Sequence, residues 1–346
     1  MVVARARFLV QRLVEVVKGM RSIQRDVARL LDRVDRLEEA QRASAAVARR
    51  ADRTSMQVKL VDVLNRAQQP DVARLPALLD ERRIAEHARR AIAAAPLLDD
   101  PYEHIVVDRL LPDDVYDLLL RAIPPAEFFD DHERIKQNLT FPMEYGPTLT
   151  ATAWGYFDDV IARQIIRPAV LEKFHEPLQS HFASMFGAEF VGRANALPQA
   201  ASSGRLMLRR PGYHLDPHRD PKRSMLTCLM YLAREGDSEE YGTQVFRVYD
   251  DAEADYKQTY YPREAGRKCE LVKVVPFRPN SMLVFLNSRG AHGATISASA
   301  PADLERYSYQ FYVAPLNEAL SALVKSLPPE QRAKWRSKGA VHPEYA

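Results

Sequence analysis

The stretch Pro211-Gly-Tyr-His-Leu-Asp-Pro-His-Arg-Asp220 is the most informative part of this sequence. It contains the pattern His-x-Asp twice, as His214/Asp216 and as His218/Asp220. In an extended strand, residues i and i+2 point to the same side, so an imidazole and a carboxylate at this spacing can bind one metal ion. One further histidine would complete a site of two histidines and one carboxylate. Such a site suits non-haem Fe(II), because it leaves coordination positions open.

Candidates for the further histidine and for a carboxylate-binding group follow later in the chain. His292 comes after the apolar run Ser281 to Phe285, in a glycine-containing turn that would present its imidazole. Arg306 and Ser308 are again two residues apart and precede or begin a strand-forming segment. A guanidinium with a nearby hydroxyl is an apt receptor for a carboxylate, because the planar fork can donate two parallel hydrogen bonds.

Together, His-x-Asp, a distal histidine and Arg-x-Ser resemble the signature of the 2-oxoglutarate and Fe(II)-dependent oxygenase superfamily. The resemblance covers about residues 98–316 and is nearest to the prolyl-hydroxylase-like and phytanoyl-hydroxylase-like branches of bacterial members. In those branches a glycine precedes the motif and a Tyr-Leu strand follows it, and Gly212 and Tyr231-Leu232 match this layout. As a set these features are specific, whereas each alone is common.

The resemblance implies that His218, Asp220 and His292 are the iron ligands. Pro217 before the motif favours His218/Asp220, and a contribution from His214/Asp216 stays open. It further implies that Arg306 and Ser308 bind the distal carboxylate of the co-substrate 2-oxoglutarate. The reaction would consume O2, release succinate and CO2, and hydroxylate a C–H bond. Halogenating relatives replace the ligand carboxylate with a small residue, so Asp220 favours hydroxylation.

The fold expected for the second half of the chain is β-rich. Short runs of strand-forming residues are separated by turn formers such as Pro279-Asn280. The predicted strands are Arg205–Arg209, Met225–Leu232, Thr243–Val248, Glu270–Val275, Ser281–Phe285 and Tyr307–Val313. With the helical segments that precede them, they predict an α+β fold, a double-stranded β-helix (jelly roll) with a helical layer. The oxygenase domain would span residues 98–316, and a helical tail would follow at 317–346.

The N-terminal segment, residues 1–70, is predicted to be a helical coiled-coil extension, joined to the domain by a helical connector at 71–97. Its apolar residues alternate steps of four and three, as in a coiled-coil seam. The seam consists of Leu9, Leu13, Val16, Met20, Ile23, Val27, Leu30, Val34 and Leu37. Self-association into a homo-oligomer is the sharper hypothesis. A helix packed on the main domain and a helix lying on a membrane surface are the alternatives.

Composition narrows the possible partners and the compartment. Of the 346 residues, 49 are basic and 46 acidic, so the net charge of +3 predicts no nucleic-acid partner. No stretch approaches the roughly 20 apolar residues that span a bilayer. Two cysteines, Cys228 and Cys269, exclude a disulfide framework and a cysteine-rich zinc site. We therefore expect a cytoplasmic protein, since polar residues also interrupt any signal-peptide core near the N-terminus.

The substrate is the least determined property. Cations gather around the motif, at Arg205, Arg209, Arg210, Arg219, Lys222 and Arg223. They indicate an anionic or sugar-containing small molecule, or else only solvated loop charge. The insertion at 250–268 is either a lid or a surface hairpin. Three functions agree with these sequence features: a small-molecule hydroxylase, a protein side-chain hydroxylase, and a coiled-coil assembly protein with a vestigial oxygenase domain. A cupin-like metalloenzyme without 2-oxoglutarate is disfavoured by Arg306 and Ser308.

Overall fold

The computed structural model describes the backbone of residues 2–130, 133–143, 145–249, 258–287 and 289–335, with side chains from residue 31 onward except 46, 49 and 50. The chain divides into two compact units, residues 1–59 and 60–346. Helix α1 (Val2–Ala67) forms the first unit and continues into the second. Most of the predicted seam lies before residue 31, outside the described side chains. Its last two members, Val34 and Leu37, are 48% and 67% exposed.

Helices form one layer of the second unit. They are α2 (Gln69–Leu78), α3 (Glu81–Ala94), α4 (Asp113–Arg121), α5 (Thr148–Tyr156), a π-helical segment (Phe157–Ile166), α6 (Arg167–Lys173), α7 (His175–Phe186), α8 (Val191–Asn195), α9 (Asn317–Ser326) and α10 (Pro329–Ala333). The segment predicted as a helical connector, 71–97, contains most of α2 and all of α3. Asp80 separates the two helices and caps α3 by accepting a hydrogen bond from the backbone N–H of Arg83, 2.9 Å away.

In the described part of the chain, no helix is long and apolar enough to cross a membrane.

Two antiparallel sheets form the centre of the second unit. The strands are β1 (His104–Val107), β2 (Lys136–Thr140), β3 (Gln199–Ala201), β4 (Arg205–Arg209), β5 (His214–His218), β6 (Leu226–Tyr231), β7 (Thr243–Val248), β8 (Cys269–Val275), β9 (Ser281–Leu286), β10 (Ala291–Thr295) and β11 (Arg306–Pro315). The larger sheet has the order β1-β9-β6-β11-β4-β2, with β3 beside β11, and the smaller one has the order β5-β10-β7-β8. From β4 onward the chain passes repeatedly between the two sheets. This connectivity is that of a jelly roll, as predicted.

The larger sheet is covered on both faces, and its central strand β6 is therefore buried along its whole length. On β6, Leu229 and Tyr231 face the smaller sheet, where they pack with Val245, Val275 and other residues of an inner core. The alternate residues Cys228 and Met230 belong to the core beneath the helices. This outer core also contains Ile84 and Ile92 of α3 and Leu320 and Val324 of α9. Both the segment predicted as a connector and the start of the tail thus pack as parts of the helical layer.

Three strands were not predicted from the sequence: β2, β3 and β10. Strand β10 corrects one expectation, because His292 lies within this strand rather than in a turn. Alanine and glycine give the segment little strand propensity. Gly293 is nevertheless required there, since a Cβ at this position would lie 2.6 Å from the Leu215 carbonyl oxygen on β5. Close approach of two strands, which depends on tertiary structure, determines this element.

Candidate active site

The predicted metal ligands come together between strands β5 and β10. His218 is the direct cross-strand neighbour of His292, and their ring centroids are 4.2 Å apart. Asp220 follows β5, with its Oδ1 atom 3.9 Å from His218 Nε2 and its Oδ2 atom 3.8 Å from His292 Nε2. One potential ligand atom from each residue lies within 4.8 Å of the other two. All three side chains are buried, so the cluster is a small, fixed set of two imidazoles and one carboxylate.

A β-bulge separates the two His-x-Asp pairs. Between His292 and Ala294 on β10 the register advances by two residues, whereas the paired positions on β5, His218 and Leu215, are three residues apart. The extra residue reverses the alternation of β5, so His218 points inward although His214 and Asp216 point outward. His214 and Asp216 are about half exposed and pair with each other at 3.2 Å, and they lie on the opposite side of the strand from the cluster.

The cluster is held by hydrogen bonds around it. His218 Nδ1 lies 2.9 Å from the Asp216 carbonyl oxygen, which directs Nε2 toward Asp220. The Thr227 hydroxyl is 3.0 Å from Asp220 Oδ2 and 2.7 Å from the side-chain amide of Asn287. The Tyr312 hydroxyl also hydrogen-bonds to Asp220. These contacts fix the carboxylate within the buried site.

Burial and mutual proximity determine the protonation of the cluster. Burial holds the pKa of His292 well below its ordinary value, and the neighbouring His218 lowers it further. Burial likewise raises the pKa of Asp220, although His218 opposes this shift. A neutral imidazole presents a lone pair, and a buried carboxylate is stabilised by a cation. The donor set is therefore chemically suited to a divalent metal ion.

Arg306 is the second predicted feature of the site. Its side chain is 3% exposed and lies between the rings of Tyr231 and Phe277, whose centroids are 5.6 Å and 4.9 Å from its Cζ atom. Nε donates to the Tyr241 carbonyl oxygen, and Nη1 lies 3.5 Å from the Ser308 hydroxyl. Within the described residues, Nη2 has no hydrogen-bond partner and no carboxylate pairs with this guanidinium.

An unpaired buried cation is costly, so an anionic ligand is the natural partner of Arg306. Burial lowers the pKa of the guanidinium, but an arginine side chain stays protonated in proteins. Arg306 therefore offers a positive charge and a free N–H group to a ligand that brings its own carboxylate. Ser308 lies beside it on the same face of β11, as the i, i+2 spacing predicted.

One cavity connects the metal-ligand cluster with the guanidinium. It has a volume of about 220 Å³, and its lining includes His218, Asp220, His292 and Arg306. Thr259 and Tyr261, which belong to the described end of the predicted insertion at 250–268, also line it, whereas residues 250–257 lie outside the described part of the chain. A small molecule in this cavity can reach the cluster at one end and Arg306 at the other.

The structure also adds residues that the sequence did not single out as site groups. Arg209 lies directly opposite Arg306 on β4, is buried, and lines the same cavity. Gln310 and Tyr312 follow Ser308 at two-residue steps on the inward face of β11 and also line the cavity. This two-residue spacing in the sequence could have identified them as candidate site residues. No sequence pattern identifies Thr227 as a site residue, because its hydrogen bond to Asp220 depends on how β6 pairs with other strands. Of the cations noted around the motif, Arg210 points away and pairs with Glu305 at 2.7 Å.

Comparison with known proteins gives matches among solved structures alone. No family model matches the chain, and no curated protein matches it. A Pseudomonas putida prolyl-4-hydroxylase is 16% identical, with a TM-score of 0.37 and coverage of 68% of this chain and 100% of that one. A Burkholderia pseudomallei oxidoreductase of the 2OG-Fe(II) oxygenase family is 9% identical, with a TM-score of 0.37 and coverage of 68% and 91%. HygX from Streptomyces hygroscopicus, solved with nickel and 2-oxoglutarate bound, is 11% identical, with a TM-score of 0.32 and coverage of 62% and 83%.

These solved structures include members of the superfamily that the sequence motifs resemble.

Proposed function

We propose that the protein is a non-haem Fe(II) and 2-oxoglutarate-dependent dioxygenase that hydroxylates a C–H bond of a small-molecule or sugar-containing substrate. One observation carries this proposal. A buried cluster of two histidines and a carboxylate shares a single cavity with a buried guanidinium that has no carboxylate partner among the described residues. A metal-binding end and an anion-binding end match the two ends of a 2-oxo diacid.

In this proposal each residue has a defined task. His218, Asp220 and His292 would hold Fe(II), and Arg306 with Ser308 would bind the distal carboxylate of 2-oxoglutarate. With its co-substrate and O2, bound Fe(II) supplies the oxidation of a C–H bond, with release of succinate and CO2. The protein contributes binding, orientation and exclusion of water.

The walls of the cavity support these tasks. The rings of Tyr231 and Phe277 flank Arg306 and keep water away from its guanidinium, which strengthens its attraction for an anion. Thr227 and Tyr312 hold the carboxylate of Asp220 in place. The carboxylate at position 220 favours hydroxylation over halogenation, in which a halide would need that coordination position.

If the protein were an assembly protein with a vestigial oxygenase domain, its site should no longer be able to bind metal and co-substrate. A degenerate site would lack a ligand, or would fill the cavity with apolar side chains. Here all three ligand candidates are buried and converge, and the cavity remains. We therefore place a hydroxylase ahead of an assembly protein.

Titration of 2-oxoglutarate into the anaerobic Fe(II)-loaded protein tests the assignment. Arg306→Gln removes the positive charge and the paired N–H donors of the guanidinium. A hydrogen bond to a charged group contributes about 1.5–3 kcal/mol to binding. We expect the Kd to rise between about tenfold and about a hundredfold. Arg278→Gln is the matched control, since Arg278 pairs with Glu239 on the surface and should leave the Kd unchanged. Equal affinity in wild type and Arg306→Gln would contradict the role of Arg306.

We also propose that the four predicted segments (1–70, 71–97, 98–316 and 317–346) reflect the domain organisation, and that α1 associates with a second copy of the chain. The exposed side chains of Leu31, Val34 and Leu37 support this association. In the full chain, Val34→Lys with Leu37→Lys should lower the mass measured by sedimentation. Arg36→Lys is the matched control, because it lies on the same exposed stretch and keeps its charge. An unchanged mass in the double variant would refute the coiled coil.

A further inference from the structure

A second and larger cavity adjoins the first. It has a volume of about 480 Å³ and shares four lining residues with the inner cavity: Arg205, Asp220, Thr259 and Tyr312. Because Asp220 borders both cavities, a molecule in the outer cavity lies beside the metal-ligand cluster. The outer cavity is therefore placed to hold the molecule that is oxidised.

Arg205 stands at the junction of the two cavities. Its half-buried guanidinium donates to Gln310 Oε1 from Nε at 3.2 Å and from Nη2 at 2.6 Å, and it also hydrogen-bonds to Tyr312. Both partners are uncharged. Among the described residues, no carboxylate forms an ion pair with Arg205.

Arg223 lines the outer cavity as well. It is half-buried, and the described part of the chain offers it neither a hydrogen-bond acceptor nor a carboxylate. Several other arginines of this unit are paired, such as Arg210 with Glu305 and Arg163 with Asp158. Among the described residues, the outer cavity is thus lined by two half-buried guanidinium groups that have no carboxylate partner.

The remaining lining completes an anion-selective site. Asp220 is the one acidic residue among the described lining residues, and in the proposed function its charge is used by the metal. Hydroxyl groups of Ser202 and Ser224 supply neutral donors, and Ala314 and Leu316 form an apolar wall. Two guanidinium groups beside hydroxyls and a small apolar surface suit a compact polar molecule that carries a negative charge.

We propose that the oxidised substrate is a small molecule with a carboxylate or phosphate group, which binds between Arg205 and Arg223 in the outer cavity. This inference rests on the proposed function for the identity of the neighbouring metal site. The anion would hold the substrate while the rest of the molecule extends along Ala314 toward Asp220. The two guanidinium groups determine specificity and take no part in the oxidation.

Anion titrations of the full-length protein test the inference. The inner cavity is first filled with Zn(II) and 2-oxoglutarate, so that Arg306 is not available. Inorganic phosphate and acetate are then titrated separately, with the arginine Nε–H signals followed by NMR. We expect saturable shifts of the Arg205 and Arg223 signals, with phosphate binding more tightly if the natural group is a phosphate ester and acetate if it is a carboxylate.

Variants separate this inference from the proposed function. Arg223→Gln should weaken anion binding about tenfold or more, Arg223→Lys should restore much of it, and Arg74→Gln on helix α2 should change nothing. Arg306→Gln should weaken 2-oxoglutarate binding about tenfold to a hundredfold yet leave the anion shifts at Arg205 and Arg223. Absence of saturable shifts with both anions in wild type, or equal binding by Arg223→Gln, would overturn the inference. Failure of 2-oxoglutarate to bind wild type would instead overturn the proposed function.

Discussion

His218 and His292 face each other across strands β5 and β10, with their ring centroids 4.2 Å apart. This pairing depends on the bulge in β5, which turns His218 to the inside of the jelly roll and leaves His214 outside. The geometry of the metal-ligand cluster thus depends on the register of β5 and β10 as well as on the identity of the ligand side chains.

The close contact of β10 with β5 gives the first prediction. In Gly293→Ala the new Cβ would meet the Leu215 carbonyl oxygen at 2.6 Å, and a backbone atom cannot move aside cheaply. We expect a loss of about 1–3 kcal/mol in the free energy of unfolding, together with weaker metal binding, because β10 carries His292. Urea denaturation and metal titration measure the two effects.

Gly155→Ala is the control for that variant. Gly155 lies in helix α5, and a Cβ there has no heavy atom within 4 Å. Alanine favours the helix, so the free energy of unfolding should rise by about 0.5–1 kcal/mol. If both glycine variants behaved alike, the close approach at Gly293 would not be a structural requirement.

The hydroxyl of Thr227 gives the second prediction. Thr227→Val preserves the shape of a fully buried side chain but removes the hydrogen bond to Asp220. Because groups that orient a metal ligand contribute to affinity, we expect metal binding to weaken about 10- to 100-fold. Thr150→Val is the matched control, since the Thr150 hydroxyl is buried without a partner in the described structure. Competition with a chromophoric chelator measures both affinities, and equal losses would refute the specific role of Thr227.

The third prediction concerns stability and pH. Burial lowers the pKa of His181 from its ordinary 6.5 to about 3, and the charges of Arg289 and Lys222 act in the same direction. The folded protein therefore disfavours the proton that the unfolded chain accepts below about pH 6.5. The contribution of neutral His181 to stability is complete above that pH and is lost progressively as the pH falls toward 3.

His181→Leu isolates this contribution. Between pH 7.5 and pH 5, the wild type should lose up to about 2 kcal/mol more free energy of unfolding than the variant does. Denaturant unfolding of both proteins at the two pH values gives the difference. A variant that loses as much stability as the wild type would show that His181 does not titrate on unfolding.

Much of the fold could be predicted from local patterns. Runs such as Arg205–Arg209 and Thr243–Val248 are strands with the predicted bounds, because β-forming residues and flanking turns define them. Strand β10 and the bulge in β5 could not be predicted, since alanine and glycine carry little propensity and a bulge depends on the partner strand.

For the candidate site too, some residues could be identified from the sequence alone, whereas others depend on tertiary structure. His218, Asp220, His292, Arg306 and Ser308 could be selected from motif spacing. The structure brings the first four to one cavity and places the Ser308 hydroxyl beside the Arg306 guanidinium. The contacts of Arg205, Thr227 and Tyr312 depend on partners on other strands, so the register of β4, β6 and β11 is needed to show what these side chains touch. The cations near the motif could be counted in the sequence, but the structure was needed to separate Arg205 and Arg223 from the paired Arg210.

The visible spectrum of the anaerobic protein with Fe(II) and 2-oxoglutarate tests the central claim most directly. A 2-oxo acid chelated to Fe(II) gives a weak metal-to-ligand charge-transfer band. We expect this band in the wild type and in His214→Ala, and its loss in His218→Ala. A wild-type protein without the band, or a band lost in His214→Ala but kept in His218→Ala, would contradict the account.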